Sequence, residues 1–117
     1  MSYEPSAGDL IWTDFDPRTG REQSGRRPAL VVSPTAFWRA FRFAVVCPIT
    51  SRIRPFPTSV LLPPGGTVTG EILTHHVRSI DTQARPIIFV KQTVTPDILT
   101  EVRLKLATLI GLGDEAI

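Results

Sequence analysis

Three residues are of the right types for chemistry on a phosphodiester: Glu22, Arg27 and Thr50. Glu22 and Arg27 lie five apart in the polar stretch Gly20-Arg21-Glu22-Gln23-Ser24-Gly25-Arg26-Arg27-Pro28, and Thr50 closes the turn Cys47-Pro48-Ile49-Thr50-Ser51-Arg52. A carboxylate can accept a proton, a guanidinium can stabilise charge on a pentavalent phosphorus, and a hydroxyl can donate to a phosphate oxygen. The set lacks the carboxylate clusters that hold ions in metal-dependent nucleases. It suits RNA, whose own 2′-hydroxyl serves as nucleophile. The protein then has to supply a base, a cation on the phosphate and help for the departing 5′-oxygen. Each residue has a plainer reading. Glu22 can pair with Arg21 or Arg26, Arg27 can bond carbonyls of a neighbouring turn, and a threonine at a strand end is ordinary. The combination, set in an arginine-dense region, raises the chemical reading above these.

The surrounding charge points to an anionic partner. Between Arg18 and Arg54 there are eight arginines and a single acid, Glu22, although the whole chain carries a net charge of only +2. Arginine outnumbers lysine eleven to two. Its planar fork grips phosphate through paired hydrogen bonds, whereas a merely solubilising surface would use more lysine and more mixed signs. Nucleic acid is the partner this implies, with Gln23, Arg26, Ser51, Arg52, Arg54, Arg78 and Arg85 as further RNA-binding candidates. His75 and His76 are the only histidines, and an imidazole suits acid–base work near neutral pH. At a strand end their side chains are expected on opposite faces, so one at most should face the site. Trp12 and Phe15 can stack on unpaired bases, but Trp12 fits better as a core anchor.

Strands must position these groups. Short apolar runs rich in Val, Ile and Phe recur between turn residues, and most of the eleven prolines punctuate them. Strands are expected at Asp9–Asp14, Ala29–Ser33, Arg42–Pro48, Thr58–Leu62, Gly70–Thr74 and Ile87–Lys91. Phe43 to Cys47 and Ile87 to Val90 have no polar face, which predicts burial from both sides, against a helix or a second subunit. Val77–Asp81 is expected to form a short helical turn that exposes Arg78 and Asp81. One helix is clear. Thr95 fits the N-cap and Pro96 the first turn; Ile98, Leu99, Val102, Leu106, Leu109 and Ile110 recur at helical spacing; Gly111 fits the stop. That stripe reads as core or dimer packing. The fold class expected is mostly β (α+β), a small SH3-like barrel with a C-terminal helix.

The chain of 117 residues, 42% hydrophobic, is expected to fold as one domain over residues 1–117. Its one cysteine, Cys47, sits in an apolar run and reads as a small buried hydrophobe. No Cys/His spacing resembles a metal site, so no metal and no cofactor is expected. Residues 1–7 do not resemble a targeting peptide, and no apolar run reaches the ~18 residues of a membrane helix. A soluble, cytoplasmic protein without membrane contact is expected.

The chain resembles the MazF/PemK/Kid toxins of bacterial toxin–antitoxin pairs, the mRNA interferases. The resemblance is carried by Gly8-Asp9-Leu10-Ile11-Trp12 and Asp14-Phe15-Asp16-Pro17, then Gly20 with Glu22-Gln23 and Gly25-Arg26-Arg27-Pro28-Ala29-Leu30-Val31-Val32-Ser33-Pro34. It continues through Cys47-Pro48-Ile49-Thr50-Ser51, Val77-Arg78-Ser79-Ile80-Asp81, Ala84-Arg85 and Leu109-Ile110-Gly111. It implies a homodimer of SH3-like barrels that cleaves single-stranded RNA at a short motif without metal, leaving a 2′,3′-cyclic phosphate and a 5′-hydroxyl. By the same resemblance Arg27 and Thr50 are catalytic and Glu22 contributes. The resemblance further implies a cognate, MazE-like antitoxin whose acidic C-terminal segment covers the RNA groove, in keeping with the charge map. The chain departs from the family pattern at His75-His76, where many relatives carry an acidic residue followed by Gln. Two other readings stay open at this point. One is a non-enzymatic toxin resembling the CcdB gyrase inhibitors, and the other is an RNA-binding module without catalysis.

Overall fold

The computed structural model describes residues 3–15 and 26–113. Seven strands and two helices follow in the order β1 (Asp9–Asp14), β2 (Arg26–Val31), α1 (Thr35–Phe41), β3 (Phe43–Thr50), β4 (Ser59–Leu61), β5 (Glu71–Leu73), β6 (Arg78–Asp81), β7 (Ile88–Thr93) and α2 (Pro96–Leu109), with a 3-10 turn at Thr74–His76 before β6. The sheet runs β4-β5-β3-β2-β1-β7. Every pairing is antiparallel. On its edge away from β2, β3 takes β6 along Phe43–Val46 and β5 at Ile49–Thr50. The mostly-β class with a terminal helix is as the sequence predicts. The barrel does not close, however: among the described residues the end strands β4 and β7 do not pair with each other.

The apolar strands β1, β2 and β3 divide their side chains between two cores, whereas the run Ile87–Val90, expected to be covered on both sides, is only partly buried here and Ile88 is 47% exposed. Leu10, Leu30, Cys47 and Ile49 point to one face, with Ile72 and the helix residue Val102. Ile11, Ala29, Val31, Ala44 and Val46 point to the other, with Ile80. The period-two alternation of a strand explains the split. Helix α2 covers the first face, and Arg103 ties it down by donating to the Val32 carbonyl (Nη2···O 2.8 Å). The chain itself covers much of the second face, through Ile80 of β6 and through Tyr3, which stacks on Phe89 (ring centroids 4.8 Å). Cys47 is a fully buried, free thiol, and burial pushes its pKa up to about 12, as suits a core hydrophobe. Helix α2 starts at Pro96 after an extended Thr95 and is followed by Gly111 at φ +85°. No described helix is long and apolar enough to cross a membrane.

One expected element fails and one element is unforeseen. Val77–Asp81 is not a helical turn. Arg78–Asp81 is strand β6, with Ile80 opposite Ala44 and buried in the second core. The alternation that buries Ile80 between exposed Ser79 and half-buried Asp81 is a strand signature spread over too few residues to stand out. Helix α1 was not expected at all. It is only seven residues long, and although Phe37 and Phe41 stand at helical spacing, none of its residues is fully buried, so it lacks the longer core-facing stripe that marks α2. Side chains hold it to its neighbours: Thr35 Oγ1 donates to the Pro5 carbonyl (2.9 Å) and Trp38 Nε1 to Thr82 Oγ1 (2.9 Å).

Candidate active site

Strand β2 begins three residues earlier than the apolar pattern suggests. Arg26, Arg27 and Pro28 therefore stand on β2 opposite Asp14, Thr13 and Trp12 of β1, and are not loop residues. Exposed arginines hide a strand from a hydrophobic pattern. Pro28, which lacks an N–H, fits because pairing with β3 starts only at Ala29↔Pro48. Arg27 is thus mounted on a rigid element. Thr50 is the last residue of β3. Its Oγ1 accepts the Arg52 N–H at 3.1 Å, which fixes the hydroxyl and leaves its O–H as a donor. Beside it, Gly70 (φ +125°) comes so close that an added Cβ would lie 2.2 Å from the Thr50 carbonyl oxygen.

Arg27 and Thr50 lie side by side in one continuous groove. Both line a recess of about 410 Å³ with Trp12, Arg26, Thr67 and Thr69. Both also line an adjoining recess of about 590 Å³ with Phe15, His75, His76 and Arg78. Thr50 further borders a third, of about 190 Å³, with Arg52, Arg54 and Phe56. The groove therefore carries five arginines, and no carboxylate lines it among the described residues. The described residues include no group of His, Cys, Asp and Glu able to hold a metal ion.

A buried carboxylate supports the groove from beneath. Glu71 of β5, paired in register with Thr50, is 2% exposed. It accepts from Ser59 Oγ (2.5 Å) and from the Arg54 N–H (2.9 Å). These bonds, the Ser59 hydroxyl first, hold its pKa below the usual glutamate range. Glu71 thus anchors the segment that presents Arg52 and Arg54. Sequence reading overlooked Glu71, as it did the groove-lining Thr67, Thr69 and Phe56. A glutamate heading a three-residue strand and threonines in a Gly-rich turn carry no signal of their own.

The remaining candidates divide. His75 and His76 stand on the 3-10 turn and not on a strand, so both line the same recess, contrary to the expectation that only one could. His75 Nδ1 is 2.8 Å from Thr58 Oγ1, and its ring meets those of Phe56 (5.0 Å) and His76 (4.5 Å) edge-on. Ser51 lines the first recess. Arg78 lies over the Phe15 ring (5.3 Å) and reaches the Phe15 carbonyl (Nη1···O 3.4 Å). Arg85 is not brought to the groove: its Nη1 donates to the Asp14 carbonyl at 2.7 Å, fastening the end of β1. Trp12 is half-buried, packs against the core and also forms part of the groove. Glu22 and Gln23 lie outside the described residues.

An antiparallel sheet that mounts an arginine and a threonine in an arginine-rich groove defines a small, mostly β protein whose groove suits an anionic ligand. Comparison with known proteins narrows the class. A family model described as PemK-like, MazF-like toxin of type II toxin-antitoxin system matches residues 6–110. The Endoribonuclease toxin MazF of Escherichia coli (strain K12) is 39% identical over 109 residues, covering 93% of this chain and 96% of that protein. MazF from Deinococcus radiodurans is 42% identical with a TM-score of 0.85, covering 95% of this chain and all of the other. The MazE-MazF complex (Form-II) from the same organism contains a chain that is 38% identical with a TM-score of 0.83. The chain belongs to the MazF/PemK family of toxins.

Proposed function

We propose that the chain is a sequence-specific endoribonuclease toxin that cleaves single-stranded RNA, mRNA above all, and so arrests translation and growth until an antitoxin neutralises it. The observation that carries this reading is the placement of Arg27 and Thr50 in one arginine-rich groove without a described carboxylate in its lining. In the proposed reaction the 2′-hydroxyl of RNA attacks the adjacent phosphorus and the P–O5′ bond breaks. The products carry a 2′,3′-cyclic phosphate and a 5′-hydroxyl. Arg27 binds the non-bridging oxygens, where negative charge builds in the transition state. Thr50 donates its O–H to the phosphate. Glu22 takes the proton of the 2′-hydroxyl, and Arg27 also stabilises the departing 5′-oxygen, which takes up a proton from water to become the 5′-hydroxyl. Because the nucleophile belongs to the substrate, the scheme calls for no metal and no cofactor.

Arg26, Arg52, Arg54 and Arg78 hold the flanking phosphates, with Gln23, Ser51, His75 and His76 as further RNA contacts. The partner is an antitoxin resembling MazE, whose acidic C-terminal segment competes for the same cations, and the toxin acts as a cytoplasmic homodimer. Apolar Leu104, Ile110 and Leu112 are exposed on and after α2, which supports a covering subunit. The test is to incubate the protein with a long single-stranded RNA and determine both new ends. Discrete cuts that leave cyclic phosphates and 5′-hydroxyls are expected. Uncut RNA together with inhibition of DNA gyrase would replace this reading with that of a gyrase inhibitor resembling CcdB. Salt-sensitive binding of RNA that stays intact would replace it with a binding module.

A further inference from the structure

The wall of the groove facing Arg27 belongs to the segment between β4 and β5. Val68 is its anchor, 3% exposed and sunk into the core. Thr67 and Thr69 flank it, exposed, in the recess shared with Arg27, Thr50 and Trp12. What fixes this wall comes from far along the chain. Gln92 of β7 accepts the Val68 N–H through its Oε1 at 3.1 Å. Gly66 leaves room for that amide, since an added Cβ would lie 2.3 Å from Gln92 Nε2.

The backbone of β7 departs from regularity at this place. Asp9 pairs with Thr93 and Ile11 with Phe89, so two steps along β1 correspond to four along β7. In the middle of that bulge Lys91 adopts φ +67°, a conformation that costs a non-glycine residue energy. Bulges re-aim side chains, and here the next residue is the one that holds the groove wall.

We propose that Thr67 and Thr69 form a base-selecting wall for the nucleotide beside the cleaved phosphate, and that Gln92 is the positioning residue that sets it. The ligand is one unpaired nucleobase of single-stranded RNA. The Trp12 ring and Pro28 give it an apolar surface, and the two threonine hydroxyls can donate to or accept from its edge. The recess, about 410 Å³, falls within the range of small-ligand sites. This inference rests on the RNA-cleaving reading of the groove.

The test maps every cut in a random-sequence single-stranded RNA pool made by the wild type, Thr67→Val, Thr69→Val, Gln92→Leu and Gln92→Glu, with thermal melting of each. Losing one hydrogen bond to a base should re-rank the cut sites, changing relative rates by about fivefold or more. Either valine variant should do this without a change in melting. Gln92→Leu should do it too, and Gln92→Glu, which keeps an acceptor for the Val68 N–H, should restore the wild-type ranking. An unchanged ranking in both valine variants overturns the selecting wall. A uniform loss at all sites in Gln92→Leu overturns the positioning role. A wild type that leaves the pool intact overturns the RNA-cleaving reading itself, a different result from either.

Discussion

At the scale of single residues the site depends on how few groups Thr50 and Glu71 leave to chance. The Arg52 N–H occupies Thr50 Oγ1 and so turns its O–H outward as a donor. In Thr50→Val the shape stays and the donor goes. A hydrogen bond to a charged group is worth about 1.5–3 kcal/mol, so the cleavage rate should drop by roughly 10- to 100-fold, while melting falls only slightly, because the Arg52 N–H that loses its acceptor is exposed and can turn to water. Single-turnover kinetics check this. Glu71 acts indirectly, and its signature is a pH dependence. Its folded pKa is depressed by the Ser59 hydroxyl and the Arg54 N–H. The stability it contributes is therefore fully present above the ordinary glutamate range, and it is lost as pH falls from that range through the lower folded value. Glu71→Gln should melt at lower temperature at neutral pH and lose less on acidification than the wild type. Melting curves from neutral to acid pH decide it; parallel curves contradict the assignment. Residue type and local motif were enough to pick out Arg27 and Thr50 as candidates, and the fold places both in one groove. The same signals picked out Arg85, which the fold turns to the Asp14 carbonyl instead, because a guanidinium that binds a carbonyl of the fold looks in sequence like one meant for phosphate.

At the scale of elements, strands with a strong apolar run were readable and those defined by partners were not. The bounds expected for β1 are those found, since Leu10 and Ile11 are buried on its two faces. Helix α2 announced itself through its spaced apolar residues, Pro96 and Gly111. By contrast, β6 has one inward residue, α1 has no fully buried residue, and the start of β2 is two exposed arginines. The groove wall at Thr67–Thr69 was invisible because its placement depends on Gln92, some 24 residues away. The junction of β3 and β5 carries a sharper test. Gly70 combines a positive φ with contact to the Thr50 carbonyl, so Gly70→Ala must push β5 away from Thr50. Strain of this kind costs about 1–3 kcal/mol. The variant should melt lower and also lose cleavage. A fully active Gly70→Ala would show that the register of Thr50 with β5 does not matter to the site.

At the scale of the whole molecule, one face concentrates the positive charge of a chain that is otherwise nearly balanced. Arg26, Arg27, Arg52, Arg54 and Arg78 lie along a single groove. Each phosphate neutralised on a single strand adds about −0.7 to the slope of log K against log salt. If all five arginines are engaged, the slope should be about −3 to −4, and Arg52→Ala with Arg54→Ala should make it about 1.4 shallower. Fluorescence anisotropy with a non-cleavable RNA measures it, and a slope near zero would remove the groove as the binding face. The central claim is that Arg27, held on β2 beside Thr50, is the cation that makes this groove catalytic. The most direct measurement compares wild type and Arg27→Ala on one single-stranded RNA in excess EDTA, with circular dichroism to verify the fold. The account predicts discrete cuts by the wild type and a loss of at least about 10²- to 10³-fold in the folded variant, the range for removing one group that stabilises transition-state charge. Equal cleavage by both proteins would contradict it.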